Sequence, residues 1–253
     1  MAGGWSSIPP PFFTGAMRKE ISLANISIGI NLNFPAYGTL FDRFPTQNAP
    51  EIEVSVSPPE IAAAQKIYEP CSGAPYVEYM ELCPKLSNAL IPFGRVFFHG
   101  TAFFWRGKAW IFAAVSGTGK TTQYLLWKEL YGEEVQIING DKPVLAFDYG
   151  NITVYPSPWN GKEGMGQQIS APLGGIILLR QSNRNCIRQI SAAEAAGMVF
   201  VQFLFHRKTE NDVRAVCRME EILLRQTPIW LLENRGDTAS AALCRDTLME
   251  AKI

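Results

Sequence analysis

The sequence predicts an α/β domain with a mixed sheet, preceded by a β-rich N-terminal portion, and three observations point to it. The apolar run Ala109-Trp110-Ile111-Phe112-Ala113 leads into a glycine-rich loop and then into helical spacing from Thr122 to Tyr131. That is the strand, loop and helix order of a phosphate-binding motif. From Val96 onward, apolar runs of strand length alternate with helical ones, as they do in α/β proteins. Before about residue 90, apolar and polar residues alternate instead, the pattern of strands with one buried face.

The elements are predicted in order as follows. Ile21 to Phe34 places Ile26, Ile28, Ile30 and Leu32 on one face, and Glu51 to Ser57 does the same with Ile52, Val54 and Val56. Both are expected in an antiparallel sheet. Pro35, Gly38, Pro45 and Pro50 mark loops between them, and Pro58-Pro59-Glu60 opens a short helix reaching Ile67. Leu86 to Pro92 leads into the second region. Strands are then expected at Val96 to Trp105, Ala109 to Ala114 and Val135 to Asn139, with a hairpin formed by Val144 to Phe147 and Ile152 to Tyr155. Leu173 to Arg180 reads as a buried strand, Ala192 to Phe205 and Asp212 to Gln226 as helices, Pro228 to Glu233 as a strand, and Thr238 to Lys252 as a closing helix. The expected organisation is a β-rich region over 1–92 packed on a nucleotide-binding domain over 93–253.

Bulk properties narrow the function classes. With 253 residues, 47% of them apolar and 18% charged, the chain has the balance of a globular protein with a substantial core. A formal net charge of zero gives no global field toward nucleic acid or an anionic membrane, so neither is expected as a partner. Assembly as a homo-oligomer stays open. No apolar run is long enough to span a bilayer. The N-terminus, with Gly3, Gly4 and Pro9 to Pro11, lacks a charged stretch followed by an apolar one, and a cytoplasmic location is expected. Cys71, Cys83, Cys186, Cys217 and Cys244 are scattered, odd in number and without C-x-x-C spacing. Buried free thiols are therefore expected, rather than a disulfide framework or a zinc site.

The chemistry centres on Ala114-Val115-Ser116-Gly117-Thr118-Gly119-Lys120-Thr121. Gly117 and Gly119 reach backbone angles closed to other residues, so successive amides can turn inward on a polyphosphate, and the following helix adds its N-terminal donors. Lys120 would reach the outer phosphates and the Thr121 hydroxyl would bind magnesium. Ser116, Thr118 and a second hydroxyl at Thr122 complete the expected nucleotide contacts. Ala114 stands where glycine is usual, and the bland alternative is an ordinary glycine turn.

Three further stretches join the loop. His99 follows Val96-Phe97-Phe98 at a spacing that could bring it to the loop's end of the sheet, although a histidine beside aromatics is often simply packed. Asp141 follows the apolar run Val135 to Asn139, which is expected next to the loop strand. It can serve the metal or the attacking hydroxyl, or be a turn residue of Asn-Gly-Asp. Ser157 to Gly166 holds Lys162 among glycines and reads either as a lid or as a plain connection. Arg180, Arg184 and Arg188 are further cations that a solvated face would explain.

His99-Gly100, Ser116 to Thr121 and Asp141-Lys142 together resemble the HPr kinase/phosphorylase family, whose phosphate-loop fold is related to that of phosphoenolpyruvate carboxykinases. The resemblance covers roughly residues 95 to 180, and the Ser-Pro-Trp-x-Gly-Lys segment is similar to a divergent branch of small HPr-kinase-like proteins. It implies ATP and Mg2+ as cofactors, with Lys120 and Thr121 on phosphates and metal. It also implies Asp141 as the base toward a substrate serine and a metal ligand, and His99 would support Asp141 or a phosphate oxygen. Lys162 would neutralise charge developing in the transition state. This chain departs from the family in carrying Gly140-Asp141-Lys142 where two aspartates and an arginine are usual, and in lacking the Glu, Ile, Arg and Gly signature near the second loop. The expected function is an ATP-dependent kinase acting on a hydroxyl, serine foremost, of a peptide or small protein. The alternatives are a nucleotide-binding regulatory or interaction protein without transfer activity, and a small-molecule phosphotransferase.

Overall fold

The structure, a computed structural model, describes residues 15–68 and 72–251. The readings made at Gly3, Gly4, Pro9 to Pro11, Cys71 and Lys252 lie outside those residues. The chain divides into two compact units, Met1–Ser22 with Ile26–Leu82 and Leu23–Asn25 with Cys83–Ile253.

In the first unit, β1 (Met17–Leu23), β2 (Ile26–Leu32) and β3 (Ile52–Ser55) form a three-stranded sheet in that order. Ala24 and Asn25, with φ of 48° and 67°, turn the chain between β1 and β2. A two-residue turn with both angles positive is the hairpin type whose twist suits the flanking strands. The alternating run from Ile21 to Phe34 is thus split between two strands. The antiparallel expectation fails at the next pair, because β2 and β3 are parallel, with Ile28 opposite Ile52 and Ile30 opposite Val54. Parallel neighbours need a long crossover, and residues 33–51, including the 3-10 turn Pro35–Arg43, supply it. Alternation records which faces are buried, and it is silent about strand direction.

Helix α1 (Pro58–Ala64) starts at Ser57, whose amide and hydroxyl both donate to the Glu60 carboxylate, at 2.8 and 2.7 Å. Helix α2 (Ala74–Leu90) was not anticipated, because Pro84 lies inside it and breaks the sequence signal. The division between the units falls within this helix. Its Glu78, 1% exposed, accepts from the Asn33 amide, the Asn33 side chain and the Phe34 amide at 2.7, 2.6 and 3.0 Å.

The second unit is α/β with a mixed ten-stranded sheet. Its elements are β4 (Arg95–Phe98), β5 (Thr101–Trp105), β6 (Lys108–Ala113), α3 (Lys120–Tyr131), β7 (Gln136–Asn139), β8 (Val144–Asp148), β9 (Asn151–Tyr155), β10 (Ala171–Gln181), β11 (Cys186–Ile190), α4 (Ala192–Phe200), β12 (Phe203–Leu204), α5 (Glu210–Gln226), β13 (Ile229–Asn234) and α6 (Thr238–Glu250). The main path runs β12-β4-β8-β9-β10-β6-β5-β7, and β13 pairs with β10 and β11. Side chains alternate between two faces. Phe103, Trp105, Trp110 and Phe112 pack with Tyr124 and Trp127 of α3 and with Ala241 and Cys244 of α6. Ala102, Ala109 and Ile111 pack with Val199 of α4 and with Val216 and Leu223 of α5.

Four readings need correction here. The apolar segment Val96 to Trp105 is two strands, since His99-Gly100 breaks it; β4 pairs with β8 and β12, whereas β5 pairs with β6 and β7. The helix expected through Phe205 ends at Phe200, and Phe203 and Leu204 pair antiparallel with Phe98 and Phe97. The strand ending near Asp141 is not beside the loop strand, because β5 lies between β7 and β6. Of the described cysteines, all of which are free, only Cys83 and Cys244 are buried, and Cys186 and Cys217 are exposed. Burial raises the Cys83 thiol pKa to about 12. No helix among the described residues is long and apolar enough to cross a membrane.

Gly175 in β10 shows how tightly the aromatic face is packed. A Cβ there would lie 2.5 Å from Cζ3 of Trp230 and 2.9 Å from Cζ3 of Trp110, both buried. Gly175→Ala is expected to destabilise the fold by about 1–3 kcal/mol through overpacking, read as a lower melting temperature by circular dichroism. An unchanged melting temperature would mean that the indoles have room to retreat.

Candidate functional site

The strand directions bring the predicted residues to one edge of the sheet. β5 is antiparallel to both β6 and β7, with Thr101 opposite Phe112 and Ala102 opposite Asn139. The end of β6, the start of β5 and the end of β7 therefore lie together. The glycine loop leaves β6, His99 precedes β5, and Asp141 follows β7.

In the loop, Gly117 and Gly119 have φ of +80° and +103°. A Cβ on Gly117 would meet nothing within 4 Å, so its requirement is conformational and not one of space. Gly119 caps α3, whose first turn has no acidic residue and no side-chain cap. Lys120 is 8% exposed and folds back over the loop, donating to the carbonyls of Ala114 and Val115 at 3.0 and 3.3 Å. Thr121 is half-buried beside it, whereas Ser116 and Thr122 are exposed. Burial holds the Lys120 ammonium below the ordinary lysine pKa; the Asp141 carboxylate opposes this and Lys142 adds to it.

Asp141 lies between a ring and a cation. Its Oδ1 is 3.4 Å from His99 Nε2, and its Oδ2 accepts a short hydrogen bond from the Lys142 ammonium. Burial lowers the His99 pKa, Lys120 and Lys142 lower it further, and Asp141 and the nearby Gln202 side chain, which favours the protonated ring, act against them. Asn139, fully buried, builds the turn beneath. Its Oδ1 accepts from the Asp141 and Lys142 amides at 2.9 and 2.7 Å, and its Nδ2 donates to the Ser157 carbonyl at 3.0 Å. Asp141 thus does sit in the turn that Asn-Gly-Asp signals, and its carboxylate nevertheless faces the cluster.

The second glycine-rich segment is seated on this turn. Gly140 N donates to Met165 O at 2.9 Å and Lys142 N to Trp159 O at 3.0 Å. A Cβ on Gly140 would fall 2.6 Å from the Asn160 carbonyl oxygen, so only glycine allows the contact. Trp159, 1% exposed, meets Phe97 edge-on at 5.4 Å. Residues 161–164 remain exposed, and Lys162 stands on that tip, outside the contacts that join His99, Asp141 and Lys142.

No protein-family model and no curated protein matches the chain. Among solved structures, it is similar to the Hpr(Ser) kinase/phosphatase from Coxiella burnetii. The TM-score is 0.37 at 9% identity, over 62% of this chain and 99% of that one. This is a distant likeness.

Sequence reasoning left Lys142, Asn139, Ser157 and Gln202 without roles. Lys142 is named in the resemblance and in a departure from it without a role of its own, although a lysine directly after the acid was the signal available. Gln202, 4% exposed, had no signal, because α4 and β12 bring it to His99 from far along the chain. Arg180 and Arg184 pair loosely with Glu233, both at 3.4 Å, and Arg188 pairs with Glu194, so the described contacts of these cations are with surface carboxylates. No group of three or more metal-ligating His, Cys, Asp or Glu occurs among the described residues.

Proposed function

We propose that the chain binds magnesium-ATP at the glycine loop and transfers the γ-phosphoryl group to a hydroxyl, serine foremost, of a peptide or small protein. The observation that carries this reading is the convergence of Lys120, His99, Asp141 and Lys142 on one sheet edge, beside a loop with two left-handed glycines. Phosphoryl transfer is mostly positioning and charge stabilisation, so a short list of groups suffices.

The loop amides and Lys120 hold the phosphates, Lys120 exchanging two neutral carbonyls for charged oxygens. Thr121 and Asp141 offer hard oxygen donors, a set that suits magnesium, which takes one or two carboxylates alongside substrate phosphates. When bound, the ion would neutralise phosphate charge. Asp141 orients the acceptor hydroxyl and takes its proton, and Lys142 fixes the carboxylate in place. Lys162, on the 161–164 tip, brings a cation toward the charge that develops in transfer.

Labelled ATP and Mg2+ with a panel of serine-containing peptides and small hydroxyl compounds test the proposal. Transfer to a peptide is expected, with Lys162→Ala lowering turnover more than ATP affinity. Transfer only to small compounds would make the protein a small-molecule phosphotransferase. The tight Lys142 contact on Asp141 supports a second reading, a nucleotide-binding regulator whose carboxylate is already occupied, and ATP binding without any transfer would favour it.

A further inference from the structure

We infer that the loop over 234–237, after β13, is the nucleoside subsite of the bound nucleotide, with the guanidinium of Arg235 stacking on the base; this rests on the nucleotide-binding reading above.

Strand order fixes which way the nucleotide extends. At the edge where the glycine loop leaves β6, β5 and β7 lie on one side and bring His99 and Asp141. On the other side lie β10 and then β13, both running parallel to β6. Phosphoryl transfer in line sets the acceptor and the departing ADP on opposite sides of the γ-phosphorus. With the acceptor cluster on the β5 and β7 side, the nucleoside points over the ends of β10 and β13. Gln181 ends β10 there, opposite Asn234 of β13, and its side-chain amide reaches the Gly117 carbonyl at 3.5 Å.

The 234–237 loop is built onto the first turn of the phosphate-loop helix. Gln123, 1% exposed, donates its main-chain amide to the Gly119 carbonyl at 2.9 Å. Its side-chain Nε2 donates to Asn234 Oδ1 at 3.1 Å and to Ser240 Oγ at 2.6 Å, and Asn234 Oδ1 also accepts from the Gly236 amide at 3.0 Å. Asn185 clamps the same loop. Its Oδ1 accepts from the Arg235 amide at 2.9 Å, and its Nδ2 donates to Asp237 Oδ1 at 2.8 Å. The main chain around Arg235 is thus fixed, while its side chain stays 53% exposed with a guanidinium nitrogen 2.7 Å from Asp237 Oδ2.

That ion pair decides which part of the nucleotide belongs here. The Arg235 charge is already balanced by Asp237, so the loop adds little attraction for another phosphate. A guanidinium held by its edge still presents a planar face, and such a face stacks on aromatic rings. Asp237 also caps α6, accepting from the Ser240 amide at 2.9 Å, whereas α3 starts with no acidic residue and no side-chain cap. Phosphates therefore suit α3, and the uncharged end of the nucleotide suits 234–237.

ATP and inorganic tripolyphosphate, each with Mg2+, are the probes for a calorimetric titration. The wild type is expected to bind ATP about fivefold or more tightly than tripolyphosphate, the scale of one cation–π contact. Arg235→Ala and Arg235→Lys are each expected to weaken ATP about fivefold and to leave tripolyphosphate unchanged, because lysine keeps the charge and loses the plane. Lys120→Ala should weaken both ligands. Rescue by Arg235→Lys, equal weakening of the two ligands, or an unchanged ATP affinity in Arg235→Ala would each overturn the inference. So would a wild type that binds tripolyphosphate as tightly as ATP, a comparison that needs no variant to fold. A wild type that binds neither ligand overturns the phosphate-loop reading and the subsite with it, whereas binding of both with no effect of Arg235 overturns the subsite alone.

Discussion

Asp141→Asn is expected to reduce phosphoryl transfer about 10²-fold or more, the usual scale for loss of a general base, while ATP still binds. The structure explains why the variant isolates chemistry from folding. The turn is held through the main chain of Asp141 and Lys142 by the Asn139 side chain, and through Gly140 and Lys142 by the 157–167 segment. None of those bonds uses the Asp141 carboxylate. Asparagine keeps the shape and still accepts from Lys142, but it cannot take a proton. Single-turnover transfer and calorimetric ATP titration check the split. ATP binding lost with the fold intact would make Asp141 chiefly a metal-site residue, and unchanged transfer would leave it a turn residue.

Lys120→Ala is expected to weaken ATP binding or transfer by an order of magnitude or more, since a charge-assisted contact is worth about 1.5–3 kcal/mol. Its ammonium contacts neutral loop carbonyls in the structure, so its removal breaks no ion pair. The same variant should raise the His99 pKa toward the ordinary histidine value. Lys120 is, after burial, the largest influence holding that pKa down. An NMR titration showing the His99 pKa moving up, alongside calorimetry showing weaker ATP binding, fits both statements. Equal ATP affinity in the variant would place the phosphates elsewhere.

The sequence was most legible where chemistry and local geometry coincide. Gly117 and Gly119 adopt the left-handed angles expected, α3 begins at Lys120, and β8 pairs antiparallel with β9 in the anticipated hairpin. The pattern failed where a long-range contact decides the structure. Val96 to Trp105 is apolar throughout, and nothing local reveals that the His99 amide is claimed by the Gln202 carbonyl and the Gly100 amide by that of Asp141. Strand β11 was missed because its residues are mostly exposed and, among the described residues, it pairs with β13 alone. At the site, the residues with distinctive chemistry could be named in advance. Their supports could not, because Asn139, Ser157 and Gln202 look ordinary until the fold gives each its partner.

The seam between β9 and β10 gives the site a mechanical character. Only Ala171 with Val154 and Pro172 with Thr153 pair along it, whereas β10 is laced to β6 and β13 over most of its length. The strands β12, β4, β8 and β9 therefore form a wing attached along a short line. The chain passes between wing and central sheet through His99-Gly100, through Gly140 to Pro143, through the segment holding Ser157 to Gly166, and through α4 and α5 on either side of β12. The first three of these are stretches of the site. Wing and central sheet share one core, in which Val96, Phe98, Leu145 and Val154 pack with Ala109, Ile111 and Ile176, and the side chains of the site are carried by connections that join the two parts of the sheet.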